Sequence, residues 1–134
     1  MGDVIREFPV RSGTRERSRP LKLYFDTGSP FTFVKRSVAH DFVNFSLLGR
    51  PVSFGGLGNG RFLARAVVHI EVKMLGYWCR HVAYVVEDET LGSRYDLLIG
   101  HDYMQRFDVT VRTRNRRRGV VLHREAIELA QSVR

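Results

Sequence analysis

The sequence predicts an all-β fold, and three observations carry that prediction. From Arg61 to Met74 the even positions are Phe62, Ala64, Ala66, Val68, Ile70, Val72 and Met74, while the odd ones include Arg61, Arg65, His69, Glu71 and Lys73. That two-residue period is the pattern of a half-buried strand. Short apolar runs separated by Gly, Pro and Asn recur along the rest of the chain, as they do in sandwiches and barrels. Helical periodicity is sparse. With 134 residues the chain has room for one compact domain and not for two, and its 43% hydrophobic content is that of a globular protein.

In chain order, strands are expected at 4–10, 21–25, 32–34, 52–54, 61–74, 81–86, 96–99, 109–112 and 120–122. Turn chemistry separates them at Ser12-Gly13, at 49–51 (Gly-Arg-Pro), at 55–60, at Gly76 and at Asn115. A short helix is expected within 36–42, and another at 101–107 with Asp102 as its N-cap. Ala126, Ile127, Leu129 and Ala130 fall on helical spacing, which predicts a C-terminal helix over 124–133. The β-rich core then spans about 4–122, in a single domain of 1–134, and closes as a barrel or a sandwich.

Composition narrows the function classes. The net charge of +8 is concentrated at 11–19 and 112–119. Clustered arginine can neutralise nucleic-acid phosphates, but these clusters lack interleaved aromatics to stack on bases and read better as solvated hairpin loops. Nucleic acid is the less favoured partner. No apolar run approaches the roughly 18–20 residues of a membrane span, and the N-terminal segment lacks the form of a secretory signal. One cysteine, Cys79, fits a reducing compartment. A soluble, cytoplasmic protein is expected, without membrane partners.

The chemistry concentrates in LYFDTGSPFTFV, residues 23–34. Asp26 lies in a Thr-Gly-Ser turn flanked by apolar strands. A lone ionised carboxylate in an apolar setting is costly unless it is paired, hydrogen-bonded or protonated. Downstream, Leu97-Leu98-Ile99-Gly100 leads into His101-Asp102-Tyr103-Met104, and between the two lies a hairpin over 52–74 with Gly55, Gly56, Leu57, Gly58, Asn59 and Gly60 at its tip. These three marks, in this order, resemble the retropepsin-like (retroviral-type) aspartic proteases over nearly the whole chain.

The resemblance implies a small closed β-barrel of the retropepsin-like acid protease type, with a short helix after the Leu-Ile-Gly motif. It implies an aspartic endopeptidase acting on a polypeptide, with no cofactor or metal. Two carboxylates sharing one proton would activate water and protonate the leaving amine. This chain has a single Asp-Thr-Gly, so the second carboxylate would come from a homodimer partner, Asp26 facing Asp26 across a two-fold axis. By the same resemblance Thr27 would bond across that axis and Gly28 would let substrate backbone approach. The Ser29 hydroxyl would donate to Asp26, and the glycine-tipped flap would close over an extended peptide. Phe33, Leu57 and Leu98 are the expected pocket positions. The sequence departs from the viral pattern at Pro30 and His101, which stand where an acidic residue and an arginine form an ion pair, and in its C-terminal helix. The alternative is a non-catalytic module of the same fold, for dimerisation or for binding peptide or nucleic acid.

Other motifs carry less. Gly56–Gly60 is followed by a strand pattern, not the helix that a dinucleotide fingerprint opens. Cys79-Arg80-His81 lacks the further ligands that would complete a tetrahedral metal site. His101-Asp102 is explained more simply by helix capping than by acid–base work, and no Gly-x-Ser-x-Gly is present.

Overall fold

A computed structural model describes residues 3–14, 16–56, 60–113 and 118–132. The elements are β1 (Val4–Arg11), β2 (Arg19–Phe25), β3 (Phe33–Lys35), α1 (Arg36–Ala39), β4 (Phe45–Gly55), β5 (Arg61–Met74) and β6 (Tyr77–Val86). They continue with α2 (Asp88–Leu91), β7 (Leu97–Ile99), α3 (His101–Phe107), β8 (Thr110–Arg112), β9 (Gly119–Val121) and α4 (Arg124–Ser132). Six strands pair in the order β1-β2-β7-β3-β6-β5, and β5 returns to β1 through Val10–Val72 and Arg11–Glu71. The sheet is therefore a closed barrel. β4 pairs only with β5 and lies outside the ring, while β8 and β9 form a separate ribbon.

Local chemistry accounts for these elements. The even positions of β5 from Ala64 to Met74 are all buried, so the alternating period does fill the barrel. β5 and β6 pair down to Met74–Tyr77 across a two-residue turn, in which Leu75 and Gly76 both have positive φ (52° and 86°), the geometry that suits the twist of a hairpin. The main core runs from the barrel interior onto α3 and α4, where Tyr103, Phe107 and Ile127 are buried. A second cluster of Phe33, Phe54, Ala64, Val86, Leu91, Tyr95 and Leu98 fills the other end.

Several expectations need correcting. Residues 49–51 are not a turn: β4 runs through them, with a register shift between Leu47 and Val52, so Gly and Pro mark a bulge at an edge. α2 carried no periodic signal. Glu71, on the solvent-facing row of β5, is buried because Arg11 (2.6 Å) and Arg80 (3.1 Å) both reach its carboxylate. Arg11, assigned to a solvated loop, is therefore largely covered, and its guanidinium also lies 3.9 Å from the Trp78 ring centre. Arg19 bonds the Val38 carbonyl and Asp41. In the second basic stretch, 114–117 including Asn115 lie outside the described residues.

Candidate active site

β7 is the element that assembles the site. It lies between β2, to which it is parallel (Phe25 opposite Ile99), and β3, to which it is antiparallel (Phe33 opposite Leu98). The loop from Asp26 to Thr32 must therefore pass around the end of β7, which brings the two sequence marks into contact. Asp26 N–H donates to the Ile99 carbonyl (2.9 Å) and Ser29 N–H to the Asp26 carbonyl (3.2 Å). Gly100 is dictated by this crossing. A Cβ there would stand 2.1 Å from the Phe31 carbonyl oxygen and 2.8 Å from that of Ser29, so any side chain would push the loop off the strand.

The Asp26 carboxylate is half-buried, and its Oδ1 accepts the Gly28 N–H at 2.9 Å. A Cβ on Gly28 would lie 3.3 Å from that oxygen, so glycine leaves the face of the carboxylate open. Asp26 and Gly28 open onto a cleft of about 430 Å³ that continues along Phe31, Phe33, Ser53 and Phe54 to Gly55 and Gly56 at the end of β4. Its wall is aromatic. Phe54 sits against Phe31 (5.4 Å between ring centres), Phe33 (5.0 Å) and Tyr84 (4.9 Å), and stacks on Phe62 (5.5 Å). Behind Asp26, burial and then the negative charge of Asp26 push the Tyr24 phenol up to about 12, and Tyr95 moves the same way for the same causes. Both phenols stay neutral beside the carboxylate.

The expected residues fall as follows. Asp26 and Gly28 line the cleft together with Ser29 and Phe33, while Thr27 is exposed beside them. The Ser29 hydroxyl does not reach Asp26; it donates to the Phe31 carbonyl at 2.7 Å, because the turn points the side chain into the loop. Gly55 and Gly56 border the cleft; Gly56 and Gly60 have φ of 100° and 89°, values that suit glycine. Leu57, Gly58 and Asn59 lie outside the described residues. Leu98 is fully buried in the second core cluster and does not line the cleft, since its strand is covered on both faces. Asp102 is not a helix N-cap. Gly100 holds that position, and Asp102 lies in the first turn with its carboxylate on Thr32, Tyr103 and His81.

Phe31, Ser53 and Phe54 were not foreseen as cleft residues. The register that pairs Phe54 with Phe62 across the hairpin is the signal that could have placed Phe54. No group of three or more potential metal ligands occurs among the described residues. Cys79 is buried, which pushes its thiol up to about 11, in the range of a structural cysteine. No helix among the described residues is long and apolar enough to cross a membrane.

No family model matches the chain, and no curated protein matches it. Solved structures do. The EIAV protease in complex with the inhibitor HBY-793 superposes with a TM-score of 0.59 at 13% identity, covering 84% of this chain and 94% of that one. The retroviral protease-like domain of Ddi1 from Leishmania major superposes with a TM-score of 0.55 at 16% identity, covering 90% and 94%. At such identities the likeness is one of backbone path. The closed six-strand barrel, the loop wrapped on Gly100 and the short helix that follows make this a chain of the retropepsin-like fold.

Proposed function

We propose that the protein is an aspartic endopeptidase that works as a homodimer. One observation carries the reading: a half-buried carboxylate, fixed by the Gly28 amide at 2.9 Å, stands at the floor of a cleft with aromatic walls under a glycine-ended hairpin. One subunit supplies one such carboxylate, since no other Asp in the sequence is followed by Thr-Gly. Two copies of Asp26 related by a two-fold axis would hold one proton between them, because like charges in contact cannot both ionise. The ionised member takes a proton from water as it attacks the peptide carbonyl, and the protonated member passes its proton on, finally to the leaving amine. Substrate lies extended between the floor and the hairpin. The rings of Phe31, Phe33 and Phe54 receive its apolar side chains, and Thr27, exposed next to Asp26, faces the partner. The cytoplasm, with its reduced thiols, is the compartment that suits it.

The test is peptide profiling. Wild-type protein, at concentrations where sedimentation gives a dimer, should cleave members of a proteome-derived peptide mixture between acidic and neutral pH. Asp26→Asn should fold and dimerise alike and cleave none of them. A pepstatin-type inhibitor should raise the melting temperature of the wild type. Cleavage that survives in Asp26→Asn, or a wild type that is dimeric and inert, overturns the reading. The second outcome would point to the non-catalytic peptide-binding module instead.

A further inference from the structure

The loop carrying Asp26 lacks the acid–arginine pair of the viral pattern, because Pro30 and His101 occupy those places. Its attachments to α3 are of another kind. His101 N–H donates to the Ser29 carbonyl (2.6 Å) and Asp102 N–H to that of Pro30 (3.3 Å). Thr32, fully buried, closes the loop: its hydroxyl donates to Asp102 Oδ1 (2.7 Å) and accepts from Gly100 N–H (3.1 Å). Asp102 Oδ1 also takes Tyr103 N–H (2.8 Å), and Oδ2 faces His81 Nε2 at 2.9 Å. His81 stands on β6, the strand paired with β3, into which the Asp26 loop leads. Its other ring nitrogen, Nδ1, is buried with no hydrogen-bond partner. Among the described residues Asp102 is the hydrogen-bond partner that orients this imidazole, with the Tyr103 ring packed edge-on against it at 5.3 Å between centres.

We infer that Thr32, Asp102 and His81 are the positioning residues of Asp26, a partly buried hydrogen-bonded chain, anchored on buried Thr32, that does the work of the missing ion pair. The inference rests on the reading of Asp26 as the catalytic group. Both ends of the loop are tied to one short piece of backbone, Asp26 N–H on Ile99 and the Thr32 hydroxyl on Gly100. Thr32 therefore sets how the loop closes, and with it the angle at which the carboxylate meets its counterpart. Asp102 serves two donors with Oδ1 and the imidazole with Oδ2, leaving no free direction in which to swing. None of the three touches substrate; they act through the loop.

Thr32→Val keeps the shape and removes the hydroxyl, while Thr32→Ser keeps the hydroxyl. Misplacement of about 1 Å can cost two orders of magnitude in rate, so Thr32→Val should lower kcat by about 10- to 100-fold with KM within about twofold. Thr32→Ser should return kcat to within about threefold of the wild type. Amide hydrogen exchange gives a readout that needs no activity. In Thr32→Val, exchange at Ser29 and His101 should speed up by at least about tenfold while Ile70, in the barrel wall, stays within about twofold. His81→Phe should give the same pattern in smaller size, and it decides the question if Thr32→Val does not fold. An unchanged kcat in folded Thr32→Val, or exchange that rises equally at Ile70, would reduce the chain to ordinary stabilisation and overturn the inference. If the wild type cleaves nothing, the reading of Asp26 fails, and the exchange pattern alone upholds or sinks the positioning role.

Discussion

The cleft is bordered by two segments built on opposite terms. On one side, residues 26–32 wrap around β7 so closely that Ser29 and Thr32 are buried, and the Phe31 carbonyl occupies the space a side chain at residue 100 would need. On the other side, β4 has one strand neighbour, changes register between Leu47 and Val52, and leaves Phe45 (41%) and Leu47 (79%) in solvent. Phe54 is its one buried residue, and it is the residue that reaches the aromatic wall. On the proposed reading, a carboxylate that is to meet a second carboxylate would need a fixed floor. On the same reading, a hairpin that is to admit an extended chain would be better anchored at one contact and left free along its arm.

The floor is tightest at Gly100. Gly100→Ala places a methyl carbon 2.1 Å from one backbone oxygen and 2.5 Å from its carbonyl carbon, where no side-chain rotation can relieve the overlap. We expect a loss of at least about 3 kcal/mol, or no folded protein at all, measured by urea denaturation. A folded Gly100→Ala protein of near wild-type stability would mean that the loop is not pinned on β7.

One step down in size, Leu98→Ala empties a fully buried site beside Phe33 and should cost about 2–5 kcal/mol by the same measurement. Leu47→Ala, on the open arm, should stay within about 0.5 kcal/mol. Equal effects at the two positions would erase the contrast between floor and arm.

How much of this was legible in the sequence follows from the range of the forces. β5 and α3 were read to the residue because their signals are local: a two-residue period, and an apolar strand followed by Gly-His-Asp. The resemblance marked the Asp26 turn and residues 97–100 as two motifs in order along the chain; their contact is seen only in the fold. What stayed hidden depends on partners far apart in the chain. Thr32 and Asp102 are 70 residues apart, and Arg11 and Glu71 are 60 apart, so no window of sequence contains both members of either pair. Glu71 was read as solvent-facing and Asp102 as a cap for that reason. The first half of β4 was missed on other grounds: with almost no buried residue it lacks the alternation that marks a strand.

Acid sharpens the comparison on the floor side. Although burial works to raise it, the Asp102 carboxyl is held below its ordinary value of 3.8 by hydrogen bonds from His81 and Thr32. A carboxyl depressed in the folded state stabilises the fold above its unfolded pKa, and that contribution is lost as pH falls through the folded value. The wild type should therefore lose stability below about pH 4 more steeply than Asp102→Asn, which should be about 1–3 kcal/mol less stable near neutrality. Asp3 and Asp88 are depressed too, by bonds from Arg94 and Ser37, so the informative quantity is the difference between wild type and variant in urea melts across pH. A difference that does not narrow toward low pH would mean that the Asp102 charge contributes nothing to the floor.

The smallest expected effect tests the arm. Gly49 lies inside β4 beside the register shift, outside the positive-φ region, with no atom within 4 Å of where a Cβ would stand. Alanine fits that backbone without strain and restricts the unfolded chain, so Gly49→Ala should leave stability unchanged or raise it by about 0.4–1 kcal/mol. The same methyl that ruins the fold at residue 100 is then harmless or helpful at residue 49, although one glycine lies under the floor of the cleft and the other in the arm that borders it. A loss of more than about 1 kcal/mol at residue 49, read by urea denaturation, would place a neighbour against the arm. In that case the second subunit of the proposed dimer would be the first place to look, and Leu47→Ala would have to lose stability as well.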